Sequence, residues 1–134
     1  MSRFLKQASH NEDFHNCLCD NFDHKFYDWK ITTVFYTAIH YLKALADKKG
    51  INIGQTHYDI ENNINPKKYK PSMSLSKGAY NEYHTLLQYS RTARYEGIDT
   101  DEETYELIKK HDYENSLIHF DNFKKYLISK GLEI

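Results

Sequence analysis

Cysteine, proline and glycine are scarce in this sequence. The 134 residues include two cysteines, two prolines and five glycines. Cys17 and Cys19 are two residues apart and would point in different directions on a helix, so we expect no disulfide between them. Reduced thiols are typical of the cytoplasm, and the sequence therefore predicts a cytoplasmic protein. No internal repeat or low-complexity tract is present.

The sequence also lacks an excess of either charge and lacks a long apolar run. Its 18 Lys and Arg residues nearly balance 19 Asp and Glu residues, which gives a formal net charge of -1. This balance argues against a strongly electrostatic nucleic-acid binder but leaves room for a local basic patch. No apolar stretch approaches the length that spans a bilayer, and residues 1–6 are not followed by the apolar run of a signal peptide. We therefore expect no membrane contact.

Common catalytic and metal-binding motifs are missing as well. The sequence contains no glycine-rich phosphate loop, no nucleophile elbow and no evident pair of catalytic carboxylates. His15, Cys17 and Cys19 lie close together, but His-x-Cys-x-Cys is not a usual structural zinc pattern and no second ligand pair completes a tetrahedral set. We expect no metal ion and no cofactor, and we interpret the cysteines as small buried thiols beside an exposed His15.

Apolar periodicity and tyrosine are what the sequence contains in quantity. The length suits one domain, residues 1–134, with its own apolar core. Twelve tyrosines dominate an aromatic content of 15%. Tyrosine combines an apolar ring with a hydroxyl that needs a hydrogen-bond partner, which suits half-buried seams and interfaces. The composition therefore favours self-association.

The most apolar helix is predicted to begin at Tyr27 or Asp28 and to stop at Gly50. Large apolar side chains recur there at intervals of three and four residues, from Trp29 to Leu45. Further apolar residues widen this face until the helix is apolar on most sides, so it needs neighbours on several sides. Asp28 is its candidate N-cap and Gly50 its C-terminal stop. We expect this helix to be enclosed by the rest of the chain.

Four further helical segments surround it in the prediction. One opens at a capping box at residues 9–12 and runs to about residue 25, and a short one follows Thr56 to about residue 63. Another runs from residue 74 or 76 to residue 94 or 95. The last opens at a capping box at residues 100–103 and reaches residue 129, either continuing past His111 and Asp112 or restarting there. The predicted inner residues of these segments are Phe14, Cys17, Leu18 and Phe22; Tyr58, Ile60 and Ile64; Tyr80, Tyr83, Leu86, Leu87, Ser90 and Ala93; and Tyr113, Leu117, Phe120, Phe123, Leu127 and Ile128.

The sequence thus predicts an all-α fold, an up-down helical bundle of four to five helices. No stretch alternates between apolar and polar residues in the way that a half-buried strand does.

Two arginines near the end of one predicted helix are candidate binding residues. Arg91 and Arg94 are three residues apart and lie on one side of the helix, and Tyr95 follows. Arginine suits two-point binding of a phosphate or a carboxylate. The alternative for Arg94, which borders the core, is an ion pair inside the bundle with Glu61, Glu82, Glu96 or Asp99. Arg91 is expected to be solvated.

His40 lies on the central helix, four residues after Tyr36. A lone histidine in such a setting is either a core residue whose ring nitrogens have hydrogen-bond partners or a functional group, and the first interpretation is the commoner one.

Several short motifs resemble the HEPN superfamily of small prokaryotic helical domains. They are Trp29 with Phe35-Tyr36-Thr37-Ala38-Ile39-His40, then Thr56-His57, then the run from Ser90 to Tyr95, and finally the run from Tyr113 to Phe120 with Phe123. The resemblance covers the chain from about Trp29 onward. It implies an up-down helical bundle that pairs into a dimer. Members of the superfamily serve as ribonuclease toxins, as partners of nucleotidyltransferase antitoxins, or as domains of antiviral systems.

The sequence departs from the ribonuclease members of this superfamily at one position. Those members carry an arginine, four to six residues and then a histidine near the start of the last long helix, and some add a tyrosine two residues later. His111 and Tyr113 stand at about this place, but residues 104–106 contain no arginine. Arg3 and His10 have the spacing but precede the bundle. The departure favours a non-catalytic domain over metal-independent RNA cleavage.

Two function hypotheses are open at this point. One is a non-catalytic HEPN-like dimerising domain in a bacterial toxin–antitoxin or antiviral defence setting, with a nucleotidyltransferase-type partner protein and RNA or a nucleotide as candidate ligands. The other is a metal-independent ribonuclease in which Arg94 and His111, from consecutive helices, converge. The predicted cleft would be lined by His40, His57, Arg94 and His111, with Arg91, Tyr95 and Tyr113 as further candidate binding residues.

Overall fold

The computed structural model describes residues 2–134, which form five α-helices. These are α1 (Arg3–Asn21), α2 (Tyr27–Lys48), α3 (His57–Ile64), α4 (Lys77–Tyr95) and α5 (Glu102–Ser129). Residues 2–134 contain no β-strand, so the predicted all-α bundle is confirmed. No helix within this range combines the length and the apolar character that crossing a membrane requires.

The bundle is built around α2. Fifteen of the 22 residues of this helix are buried, and it packs against α1, α4 and α5. The apolar cluster around it contains side chains from the other four helices, among them Ala8, Ile60, Leu86 and Phe123. Full burial of an aliphatic or aromatic side chain contributes roughly 1.5–3 kcal/mol, so α2 is a main source of stability. The predicted enclosure of this helix is confirmed.

Trp29 is the exception, because 57% of its surface is exposed. The inward positions at this level of α2 belong to Tyr27 and Lys30, both buried. The Tyr27 hydroxyl donates to the Asp23 carbonyl at 3.0 Å, and Lys30 Nζ donates to the Phe22 carbonyl at 2.5 Å. These two side chains close the turn between α1 and α2 from the inside and leave Trp29 on the outside. Its predicted inner position is wrong.

The start of α1 and the N-cap of α2 differ from the prediction, whereas α2 begins at Tyr27, one of its two predicted first residues. The Ser2 hydroxyl accepts a hydrogen bond from the Leu5 amide at 3.2 Å and caps α1 at Arg3. The predicted start at residues 9–12 is wrong because nothing in residues 3–8 opposes a helix. The N-cap of α2 is Phe26, whose backbone is in the left-handed conformation (φ 59), and not Asp28. Asp28 lies in the first helical turn, where its negative charge still favours the helix N-terminus.

The remaining helix starts agree closely with the sequence. Thr56 caps α3 and Ser76 caps α4, each through its hydroxyl at 3.1 Å from the amide three residues later. Asp101, one residue into the predicted capping box, caps α5 through a 2.9 Å hydrogen bond from the Thr104 amide. Side-chain caps of this kind satisfy amides that have no partner within the helix.

The α5 helix is continuous past His111 and Asp112. Lys109 is buried, with Nζ 3.6 Å from the Asp112 carboxylate, and the Ser116 hydroxyl donates to the Asp112 carbonyl at 2.8 Å. The polar run is therefore accommodated inside a single 28-residue helix, and the restart is ruled out.

Several predicted inner side chains are exposed instead. The α1 helix lies at the edge of the bundle and buries only Ala8 and Leu18, so one phenylalanine and one thiol on this helix, and a second phenylalanine directly after it, are exposed although they were placed inside. Apolar periodicity overestimated the inner face, because it cannot tell on how many sides a helix has neighbours. The exposed residues wrongly assigned to the interior are Phe14, Cys17, Phe22, Tyr58, Leu117 and Ile128.

Candidate functional site

Arg94 lies in the last turn of α4 and is surrounded by aromatic rings. Its guanidinium donates a hydrogen bond to the Tyr36 hydroxyl. The guanidinium carbon is 5.3 Å from the centroid of the Tyr36 ring, 5.8 Å from that of Phe35 and 5.1 Å from that of Tyr95. Arginine binds ring faces of this kind through cation–π attraction. These partners are neutral, so the charge of Arg94 stays uncompensated.

The expected alternative, an ion pair between Arg94 and an acid of the bundle, is absent from the contacts of residues 2–134. Two of the candidate acids have other partners. Glu61 accepts hydrogen bonds from Tyr80 and Asn65, and Glu82 lies 2.5 Å from His119 Nδ1.

His57, the first residue of α3, lies against the same Phe35 ring as Arg94. The centroids of the His57 and Phe35 rings are 5.8 Å apart. Burial lowers the pKa of His57 from the usual 6.5, and the positive charges of Arg94, Arg91 and Lys43 lower it further. A neutral imidazole at neutral pH can accept or donate a proton.

Two buried nitrogens of this region have no hydrogen-bond partner among residues 2–134. They are His57 Nδ1 and Arg94 Nε. Buried polar atoms in folded proteins almost always have a partner, so these two unpartnered nitrogens are an exception to that rule in the region of the Phe35 ring.

Four positive or titratable side chains thus form what we call the cation cluster: Lys43, His57, Arg91 and Arg94. Arg91 is exposed and Lys43 is half-buried. Burial lowers the pKa of Lys43, and the neighbouring charge of Arg3 adds to this effect. None of the ion pairs within residues 2–134 includes any member of the cluster. The cluster is the local basic patch that the balanced composition left room for.

His40 has a structural hydrogen bond and also borders a groove. Its Nδ1 lies 2.8 Å from the Tyr36 carbonyl, so Nδ1 carries the proton and donates it. Burial lowers the pKa of His40, against a smaller raising effect of this hydrogen bond. The groove next to it has a volume of about 770 Å³ and is also lined by Arg3, Gln7 and Lys43. His40 therefore fits the interpretation of a core histidine whose other side faces a basic groove.

His111 and Tyr113 lie on α5 and are not connected to Arg94 by any contact within residues 2–134. His111 is exposed, and its Nε2 is 3.3 Å from the Asn115 amide nitrogen. The Tyr113 hydroxyl is 2.7 Å from His15 Nε2 and 3.4 Å from Cys19 Sγ, and burial raises its pKa. The structure therefore groups His57, Arg91, Arg94 and Tyr95 and borders them with His40, but it places His111 and Tyr113 elsewhere.

The thiols and His15 are arranged differently from the sequence interpretation. Cys17 is exposed, whereas Cys19 and His15 are half-buried in the seam between α1 and α5. Their i, i+4 spacing on α1 brings His15 Nε2 within 3.7 Å of Cys19 Sγ. Within residues 2–134 no group of three or more His, Cys, Asp or Glu side chains is placed to hold a metal ion.

Sequence reasoning missed Tyr36 and Lys43 as parts of the site. Tyr36, His40 and Lys43 follow one another at intervals of four and three residues and therefore share one face of α2. That spacing could have indicated a shared polar site on α2. The surrounding aromatic and apolar residues instead led to the interpretation of this face as core.

The fold and the site define a small all-α domain with an enclosed central helix and a cation cluster of one exposed and three half-buried side chains that form no ion pair among residues 2–134. A family model described as HEPN domain matches residues 2–123. The chain belongs to the HEPN domain family. The match includes α1, which the residue-level resemblance did not cover. No curated protein and no solved structure matches the chain significantly.

Proposed function

We propose that this chain is a dimerising HEPN module that acts as a non-catalytic binding or partner domain in a bacterial toxin–antitoxin or antiviral defence setting. Its candidate partner protein is of the nucleotidyltransferase type, and its candidate ligand is RNA or a nucleotide. The proposal joins the family membership to the composition of the site.

The position of His111 carries the non-catalytic part of the proposal. RNA cleavage without a metal ion needs a proton-transferring group and a cation at the same phosphate. His111 is exposed, its hydrogen-bond partner is Asn115, and α5 contains no arginine along residues 102–129. Arg94 contacts Tyr36 and the neighbouring rings rather than His111. The histidine at the family's catalytic place thus lacks the arginine that accompanies it in the ribonuclease members.

The cation cluster supports the binding part of the proposal. Arginine guanidinium groups match the geometry of phosphate oxygens. Tyr95, next to Arg94, is exposed and offers a ring on which a base of single-stranded RNA can stack. The net charge of the whole chain is close to zero, so binding should depend on this cluster rather than on the overall charge.

Two measurements on the purified chain and one in the expressing cells test the proposal. Incubated with a labelled single-stranded RNA at neutral pH with EDTA, the protein should produce no cleavage, and its overexpression should not be toxic. Fluorescence anisotropy should detect binding of the same RNA. The variant Arg91→Glu should weaken binding by at least about tenfold, which corresponds to ~1.4 kcal/mol. The matched charge reversal Lys67→Glu, at an exposed loop position, should have little effect.

If the natural chain cleaves the RNA and the Arg91→Glu variant does not, the non-catalytic proposal is wrong. The cation cluster would then still be the functional site. Equal binding by both variants would remove the cation cluster as the binding surface.

One observation favours a second candidate function, a metal-independent ribonuclease with a non-standard Arg/His pair. His57 and Arg94 both lie 5.8 Å from the Phe35 centroid, and the pKa of His57 is lowered by burial and by Arg94. A neutral imidazole beside a guanidinium has the two groups that RNA cleavage requires.

If this second function is correct, His57→Ala and Arg94→Ala should each abolish cleavage. The variant His111→Ala should retain it. If His111→Ala loses cleavage to the same extent, the cleaving pair would instead be Arg94 and His111.

A further inference from the structure

The solvent-facing side of α5 carries a regular polar and apolar pattern. Positions 101, 104, 108, 111, 115, 118, 122 and 125 follow one another at alternating intervals of three and four residues. We call this set the α5 stripe. Seven of its eight residues are exposed and one, Asn115, is half-buried. The buried residues of α5, which include Phe123 and Leu127, lie on a different side of the helix, about 120° around its axis from the stripe. Alternating intervals of three and four are the spacing by which one helix packs against another.

The stripe is complementary to itself when it is read in the opposite direction. If two copies of α5 lie antiparallel with residue 113 at the centre, Ile108 of one copy faces Ile118 of the other, and His111 faces Asn115. Ile108 and Ile118 are 50% and 59% exposed, so pairing would remove two apolar side chains per chain from water. Each His111, whose Nε2 lies 3.3 Å from the Asn115 amide nitrogen of its own chain, would exchange that neighbour for the Asn115 amide of the other copy, which is an equivalent hydrogen-bonding pair.

The ends of the stripe are complementary in charge. In the same arrangement Asp101 faces Lys125 of the other copy, and Thr104 faces Asn122. The wider charge distribution agrees: residues 99–106 contain five acidic residues and no basic one, and residues 119–130 contain three lysines and one aspartate. A parallel arrangement would place acids against acids. Antiparallel helices also align opposite ends of their dipoles.

The present contacts of the stripe within one chain do not prevent this pairing. Lys125 forms an exposed ion pair with Asp121 at 2.8 Å, and exposed pairs of this type contribute little to stability. Asp101 caps α5 through one carboxylate oxygen and keeps its negative charge, because that hydrogen bond lowers its pKa. Asn122 donates a long hydrogen bond of 3.3 Å to Glu82.

We propose that the α5 stripe is the surface on which a second copy of this chain docks, antiparallel and with twofold symmetry. This proposal rests on the dimerisation in the proposed function and adds the surface and the orientation. A twofold interface requires one patch to fit itself, and the stripe meets that requirement at all four of its distinct pairs. From residue 101 to residue 125 the contact extends over about 36 Å at 1.5 Å per residue.

Light scattering coupled to size-exclusion chromatography tests the surface. The natural chain should have twice the chain mass of 16.0 kDa. Ile118→Glu should reduce the measured mass to that of one chain, while Ile134→Glu should not. Ile134 is a matched control, because it is 66% exposed and lies outside α5. Circular dichroism should give the same helix content for all three proteins.

The outcomes separate this inference from the proposed function. A natural chain that is monomeric at every concentration would overturn both the α5 interface and the dimerisation in the proposed function. A dimer that survives Ile118→Glu would overturn the α5 interface alone, since another surface would then hold the copies together.

Cysteine cross-linking tests the orientation. In a Cys17→Ser, Cys19→Ser background, Ile108→Cys combined with Ile118→Cys should form a disulfide-linked dimer under mild oxidation. Either change alone should not, because antiparallel pairing places residue 108 of one copy about 15 Å along the axis from residue 108 of the other. Disulfides require Cα atoms within about 7 Å. Cross-linking by a single variant, or none by the combined one, would overturn the antiparallel arrangement.

Discussion

Replacing Arg94 by alanine separates the two roles of this side chain, in stability and in binding. Its guanidinium donates to the Tyr36 hydroxyl and lies between 5.1 Å and 5.8 Å from three ring centroids. A hydrogen bond from a charged donor contributes about 1.5–3 kcal/mol, and each cation–π contact at an exposed site contributes roughly 0.5–1 kcal/mol. Because one half-exposed guanidinium makes all of these contacts, the values do not add. We expect Arg94→Ala to lower the free energy of unfolding by about 2 kcal/mol.

Thermal denaturation followed by circular dichroism measures this loss. The shift in Tm per kcal/mol decreases with chain length. For a chain of this length, a loss of 2 kcal/mol corresponds to a decrease in Tm of about 6–10 °C. The control Lys67→Ala, at an exposed loop position, should leave the Tm nearly unchanged. A Tm of Arg94→Ala within about 1 °C of the natural chain would refute the reasoning that the aromatic contacts of Arg94 stabilise the fold.

The same variant tests the binding role when it is compared with Arg94→Lys. Lysine keeps the charge but lacks the planar fork that matches phosphate. Affinity for single-stranded RNA, measured by anisotropy, should fall by about tenfold in Arg94→Ala and by less in Arg94→Lys. The dependence of log affinity on log salt concentration should decrease by about 0.7, the value for one phosphate contact on a single strand. An unchanged salt dependence in Arg94→Ala would mean that Arg94 contacts no phosphate.

Three other expectations can be measured on the same protein. Burial is the largest cause that lowers the pKa of His15, His40 and His57 below 6.5. The unfolded chain therefore binds more protons than the folded chain below about pH 6.5, and stability should fall as the pH falls through the lower folded values. His57→Gln should make this decline shallower in urea titrations at several pH values, and an equal slope would contradict the shift. Leu42→Ala should lower the free energy of unfolding by about 2–5 kcal/mol, while Trp29→Ala should change it by roughly 0.5 kcal/mol or less; the reverse order would contradict the placement of Trp29 outside the core. Thr56→Ala should cost about 1 kcal/mol by removing the cap of α3, and no loss in Tm would mean that solvent replaces that cap.

The comparison of Trp29 with Leu42 shows where apolar periodicity is informative. Both residues were assigned to the inner face of the central helix, and Leu42 is fully buried while Trp29 is largely exposed. The periodicity identifies the helix and its average face from local spacing. Which turn of that face is covered depends on neighbouring segments, here the chain reversal at residues 22–26 that Tyr27 and Lys30 close from within.

For the candidate site, too, one part could be predicted from the sequence and another part could not. Arg91, Arg94 and Tyr95 were recognisable from the sequence, because two arginines suited to phosphate binding lie three residues apart and an aromatic residue follows the second. The meeting of Arg94 with Tyr36 and of His57 with Phe35 joins residues far apart in the chain. No local pattern could have paired Arg94 with these side chains rather than with an acid or with His111.

The sequence by itself determined the all-α class, the number of helices within the predicted range, the enclosed central helix and most of the helix starts. These properties depend on spacing, capping and chain breaks within a few residues, where local energies decide the conformation. Only the tertiary structure decided which histidine stands beside Arg94 and which residues of each helix lie in the core. Those outcomes depend on the lateral packing of helices, which is set by the fit of side chains from distant parts of the chain.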